Sequence, residues 1–380
     1  MGNRMIRNAA LALFAAVSAP AWAQSSVTLY GVIDEGLMYV HNSGGHSTQL
    51  LMSSGNLYGS RWGLKGTEDL GGGLSAIFRL ENGFDINSGA LAQGGREFGR
   101  QAYVGLSHAK YGTLTLGRQY DPLLDLVQPV QGDYYLGSNF STPGDVDAAD
   151  WNTRFSNTIK WASPTWGGVN IEAMYALGGV AGATGSGQTY AGAASYGYGP
   201  FLAAAGYLHI DNGNAQFVTR GTSTADVSSL TYSAVNNAYA SARSIDIARG
   251  GAHYVVGPVT LGGYFSHTEY KPDSASTYTV TEKYNDVGVY GFWQIRPDTS
   301  LEIGYDYLKS SGDSSARYHQ VGVSGDYVIS KRTDFYAVVG YTHASGSNGA
   351  GAAQAVVGAY DINSGKNSQV LAIVGIKHVF

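Results

Sequence analysis

The chain has 380 residues, 23 basic against 28 acidic for a formal charge of −5, and no cysteine. These values exclude a disulfide framework, thiol catalysis and a cysteine metal site, and they leave no basic footprint for nucleic acid. Only 13% of the residues are charged, about half the usual share, while glycine (54) and tyrosine (28) are in excess.

The N-terminal stretch "MGNRMIRNAALALFAAVSAPAWAQSS" places Arg4 and Arg7 before an apolar run from Ala9 to Val17 and then the small-residue pattern Ala21-Trp22-Ala23. This is the order of parts in a secretory signal peptide, with cleavage expected after Ala23. Residues 1–23 are therefore read as a leader and 24–380 as one domain of 357 residues. Without Arg4 and Arg7 its balance is 21 basic against 28 acidic, a formal charge of −7. Beyond the leader no run of 18 apolar residues occurs, which rules out membrane-spanning helices. Closed barrels remain, because they too satisfy every backbone group in lipid, and their strands alternate instead of running apolar.

Alternation recurs along the chain. In "NLYGSRWGLKG" Tyr58, Trp62 and Leu64 oppose Gly59, Arg61, Gly63 and Lys65. In "LSAIFRLENGF" Leu74, Ala76, Phe78 and Leu80 oppose Ser75, Ile77, Arg79 and Glu81. "RFSNTIKW" is read with Arg154, Ser156, Thr158 and Lys160 inward against Phe155, Ile159 and Trp161, and "SLEIGYDYLK" sets Leu301, Ile303, Tyr305 and Tyr307 against Ser300, Glu302, Gly304 and Asp306. The chain closes on "QVLAIVGIKHVF", where Val370, Ala372, Val374, Ile376, His378 and Phe380 share one face. A soluble sandwich would alternate in the same way. The export signal, aromatics at strand ends and two classes of connection favour an all-β transmembrane antiparallel barrel. Short connections are expected at 66–73, 108–112, 163–168, 198–200, 256–258, 296–299 and 330–333. Longer ones are expected around 41–50, 86–95, 120–153, 178–189, 211–243, 272–281, 310–316 and 345–366. Seven turns and eight loops join about 16 strands.

The segments "SSVTLYGVIDEGL", "GSRWGLKGTEDLGGGLSAIFRLENGFD", "RQAYVGLSHAKYGTLTLGRQYDP", "TPGDVDAADWNTRFSNTIKWASPTWGG" and "VGIKHVF" together resemble the trimeric general diffusion porins of Gram-negative outer membranes, of the β-proteobacterial type. The resemblance implies a homotrimer of water-filled channels for passive transport of small hydrophilic solutes and ions. It also implies that the third external loop folds into the pore, and that the terminal Phe380 is the outward aromatic read by the outer-membrane assembly machinery. Val379 departs from the basic residue common at that place in relatives. Outer-membrane lipid would surround the barrel.

The connection from Tyr120 to Thr153 is long enough to be functional. It supplies Asp121, Asp125, Asp133, Asp145, Asp147 and Asp150, of which Asp125 and Asp133 are expected nearest the constriction. Facing them, alternation places Arg61, Arg79 and Arg154 inward, the resemblance independently implies Arg61, Arg100 and Arg154, and Glu81 is expected beside Arg79. Arg118 continues the outer set of Leu114 and Leu116 and is read as a rim or intersubunit residue. No cofactor, metal or catalytic site is expected. "GATGSGQT" has glycine spacing like a phosphate loop but carries Gln188 where lysine is required, and the histidines show no ligand-like pair on one strand face. A solute-specific channel and a barrel enzyme stand as alternatives, although no nucleophile and base are marked.

Overall fold

The computed structural model describes residues 26–150, 153–211 and 230–380; the expected leader lies outside them. Among the described residues, sixteen antiparallel strands form the barrel, and Ser347–Asn348 pairs with Gly351–Ala352 in a separate short ribbon. They are β1 (Ser26–Ser43), β2 (His46–Ser54 and Arg61–Gly71, one strand broken at its middle), β3 (Leu74–Gly83), β4 (Gln101–His108), β5 (Gly112–Gln119) and β6 (Phe155–Ala162). There follow β7 (Val169–Ala176), β8 (Thr189–Tyr198), β9 (Phe201–Asp211), β10 (Ser244–Val256) and β11 (Val259–Lys271). The last are β12 (Glu282–Arg296), β13 (Thr299–Ser311), β14 (Arg317–Ser330), β15 (Thr333–Ser345) and β16 (Ser368–Val379). Each strand pairs with the next, and β16 returns to β1 from Val32 opposite Val379 to His41 opposite Val370, so no edge is left. Closure removes the unpaired backbone groups that neither lipid nor water-free packing would tolerate.

The faces follow the alternation. Ile303 is 56% exposed and Val374 59%, whereas Glu302 is fully buried and Asp306 nearly so. An outside that shows lipid-compatible side chains and an inside that holds carboxylates is the reverse of a soluble sheet. At the short-turn end, the ring of Phe380 covers Gly31, where a Cβ would meet Phe380 Cζ at 2.2 Å, and the two residues exchange backbone hydrogen bonds of 2.9 and 3.0 Å.

Two local features depart from simple alternation. The first is the break in β2. Gly55 takes a φ of +77°, and the Asp34 carboxylate of β1 accepts N–H bonds from Leu57 (2.7 Å) and Tyr58 (2.8 Å) while Tyr336 Oη donates to it at 2.6 Å. The break turns Tyr58 into the lumen, where the Lys377 ammonium lies 4.6 Å from its ring centroid, instead of outward as expected. The second is at Asn157, whose φ of +58° accompanies a register shift between Gly117 and Gln119. One extra residue there sends Phe155 inside, fully buried against Leu123 and Val127, although alternation alone had put it outside. The first connection, expected as a loop at 41–50, is instead a tight turn on Gly44 and Gly45, both at positive φ, the conformation glycine adopts without steric cost.

Candidate pore constriction

The segment after β5 runs inside the barrel. Asp121 starts it by capping the short helix Pro122–Leu126, accepting from Leu123 N at 2.8 Å and Leu124 N at 3.3 Å, with Pro122 in the first turn where its missing N–H costs nothing. Leu123, Val127 and Val130 then bury against Leu208, Ile210, Ile245 and Ile247 of β9 and β10. Further along, the segment follows the inner wall to β13, β14 and β15. Wall groups hold its backbone: Leu136 N donates to Glu302 (2.9 Å), Tyr264 donates to Phe140 O (3.1 Å) and Gln320 donates to Ser141 O (2.7 Å). The last long connection packs behind it, with Gly144 N donating to Gly358 O at 2.8 Å and Ala359 N to Ser138 O at 3.1 Å.

On the opposite side the lumen stays open. A space of ≈ 310 Å³ is lined by Tyr58, Arg61, Arg100 and Arg154 from the wall, by Asp85 from the connection after β3 and by Ser138 and Asp150 from the inserted segment. Three arginines are gathered there by different means. Arg61 points inward from β2 and donates to Gly59 O at 3.1 Å. Arg100 sits just ahead of β4, its Nε 2.8 Å from Glu81 and one Nη 2.8 Å from Tyr120 Oη. Arg154, at the far end of the inserted segment, donates to the same Tyr120 oxygen at 2.9 Å and lies over that ring at 5.0 Å. Tyr120 and Arg154 are the two stems of the segment, so its entry and exit form part of the basic wall.

The other expected residues lie elsewhere. Glu81 is buried between Arg100 and Tyr30, whose hydroxyl donates to it at 2.8 Å. Arg79 lies nearer the short-turn end, facing the Tyr30 ring at 5.4 Å beside Lys65, and lines a separate recess with Tyr103. Asp125 is engaged by Lys160, which also donates to Tyr120 O at 3.1 Å and lies 3.8 Å from Glu172. Asp133 is buried at the wall and accepts from Gln128 at 3.1 Å; removal from water pushes its carboxyl up to about 7. Thus neither Asp125 nor Asp133 lines the space beside the arginines, and the acid of the segment that does is Asp150. Burial and the neighbouring Asp145 raise its carboxyl. Arg118 is buried rather than at a rim, because Gly99 O and Ser156 Oγ cover it, at 2.7 Å from its Nε and 2.9 Å from one Nη.

A closed barrel, apolar outside, charged within and narrowed by its own chain, is a transmembrane channel. Comparison with known proteins specifies it further. The family model described as Gram-negative porin matches residues 9–347. An outer membrane porin protein of Bordetella pertussis is 32% identical, with 87% of this chain and 92% of that protein covered. Outer membrane porin protein 32 of Delftia acidovorans is 29% identical over 98% of both. Among solved structures, an anion-selective porin from Comamonas acidovorans superposes over 94% of this chain and all of its own with a TM-score of 0.74 at 23% identity, which establishes the shared fold. The chain belongs to the Gram-negative porin family and is an outer-membrane general diffusion channel.

Proposed function

We propose that the channel passes small hydrophilic solutes with a preference for anions, set where Arg61, Arg100 and Arg154 face the inserted segment. The observation carrying this reading is a segregation of charge. Arg61, Arg100 and Arg154, from β2 and the residues just ahead of β4 and β6, outnumber Asp85 and Asp150 around the open space, whereas the inward acids Asp286, Glu302 and Asp306 come from β12 and β13 on the far wall and are buried beneath the segment. A permeating ion meets the local cluster and not the net charge of the chain. Arg79 and Lys65 would continue the basic track toward the short-turn end, with Glu81 holding Arg100 in place. In this reading Asp125 and Asp133 anchor the segment, and Asp150 is the carboxylate across the opening. The zero-current potential of a single channel in a tenfold KCl gradient tests the preference; a cation-selective wild type would overturn it.

The channel works as a homotrimer without enzymatic activity. Supporting this assembly, the outward faces of β1, β4 and β5 near the short-turn end present Leu29, Val104, Leu106, Leu114 and Leu116, medium-sized apolar groups suited to barrel-on-barrel packing. An unheated sample in mild SDS migrates at about three times the monomer mass; an active monomer there would overturn the assembly. Outer-membrane lipid covers the remaining circumference, and Phe380, exposed beside Gly31, is the group that the assembly machinery reads. Residues 1–23 direct export as a cleaved leader.

A further inference from the structure

The outward face of β13 to β15 carries bases for which permeation has no use. Three cross-strand rows rise toward the long-loop end: Tyr305, Val321 and Tyr341; then Tyr307, His319 and His343; then Lys309, Arg317 and Ser345. Their neighbours in sequence, Leu308, Tyr318 and Gln320, are buried on the lumen side, which fixes these rows as outward. The tyrosines mark the membrane interface. Tyr305 Oη lies 2.7 Å from His319 Nδ1, and the Tyr307 and His319 rings are 5.0 Å apart, so the first imidazole is held in place.

Lys309 and Arg317 stand directly opposite one another, and like charges so placed destabilise a sheet unless something neutralises them. Ion pairing on this face is found further round the barrel, where Glu269 is shared by Lys271 at 3.0 Å and Lys283 at 3.2 Å. Across from Lys309 on β12 is Asn285, and across from Arg317 on β15 is Ser345, both uncharged. We infer that Lys309 and Arg317, with His319 and His343 beneath them, dock a phosphate-bearing lipid headgroup of the outer leaflet. The height fits a headgroup just above the tyrosine row, the bases supply complementary charge, and arginine can grip phosphate through two parallel N–H bonds. This assignment rests on the long-loop end facing outward in the membrane, as the porin reading requires.

The test is native mass spectrometry of the detergent-solubilised assembly titrated with lipid A bearing both phosphates and with the dephosphorylated form carrying the same acyl chains. The wild type should prefer the phosphorylated lipid about tenfold or more. The double variant Lys309→Ser/Arg317→Ser should lose that preference. Lys331→Ser/Arg332→Ser, which removes two bases from a turn at the opposite end, should retain it. Inorganic phosphate should not displace the lipid. Equal affinity for the two lipids, a preference that survives Lys309→Ser/Arg317→Ser, or displacement by free phosphate would each overturn the assignment. Conductance of the same variant should match the wild type, so a loss of channel activity would count against the porin reading and not against the headgroup site.

Discussion

Replacing Arg61 and Arg154 by glutamate changes the constriction by four charge units. A space of ≈ 310 Å³ corresponds to a sphere about 4 Å in radius, so an ion at its centre stands roughly 7 Å from the charges behind its wall. At that distance one unit charge contributes about 0.6 kcal/mol in water, cut to about 0.3 kcal/mol by 0.1 M salt. Four units give about 1.2 kcal/mol, opposite in sign for anion and cation, so the anion-to-cation ratio should fall by about sixtyfold. In 1 M salt the screening length shrinks to about 3 Å and the change should be only about twofold. The assay is the zero-current potential across a tenfold KCl gradient, wild type against double variant, at both ionic strengths. No shift at low salt, or a shift toward anions, would mean that these arginines do not face the permeation path.

Deleting Gly132 to Pro143 removes the part of the inserted segment that bonds to Glu302, Tyr264 and Gln320, and single-channel conductance should rise; an unchanged value in a folded assembly would deny the segment its narrowing role. Tyr120→Phe removes the oxygen that accepts from both Arg100 and Arg154, bonds worth about 1.5–3 kcal/mol each when the donor is charged, so open-channel noise should increase and selectivity fall while SDS-resistant assembly persists. Identical traces would show that the arginines are positioned without it. Asp133 has its carboxyl raised to about 7, so the folded state holds a proton that the unfolded chain releases near pH 4. The stabilisation from that proton is complete below about pH 4 and lost as pH rises through about 7. The decline in unfolding temperature between pH 5 and pH 8 should therefore be smaller in Asp133→Asn, and an equal decline in both proteins would place the titration elsewhere.

The barrel was legible because its signals are local and repeated. Alternation in "SLEIGYDYLK" separates the two faces of β13, the export signal and strand-end aromatics say that the apolar face meets lipid, and paired short and long connections give the strand count without any knowledge of register. What escaped depends on contacts distant in sequence. Nothing near Tyr58 says that β2 breaks there, since the break is held by Asp34 of the preceding strand and Tyr336 of β15. Phe155 changes sides because of one left-handed residue at Asn157, a position asparagine tolerates better than most residues and the one local signal that could have been read. The acids of the inserted segment were the least legible. Which of Asp125, Asp133 and Asp150 meets Lys160, Gln128 or the opening is decided by how the segment coils against a wall supplied by residues 124 to 179 positions later.

That wall also explains how an acidic chain can present a basic opening. The segment leaves the wall at Tyr120 and returns at Arg154, between β5 and β6, so its two ends are fixed among the arginines while its middle reaches across to β13 and β14. Carboxylates there accept from its backbone, as Glu302 does from Leu136 N. Burying such acids is costly unless they are hydrogen-bonded or hold a proton, and the peptide N–H groups supply part of what water no longer does. On the uncovered side Arg61 is half-buried, and Arg100 and Arg154, buried over most of their surface, touch the open space at their edges. Anchoring and selectivity thereby draw on opposite halves of the same cylinder: the acids of the far half bind the chain that narrows the pore, and the bases of the near half face what passes through it.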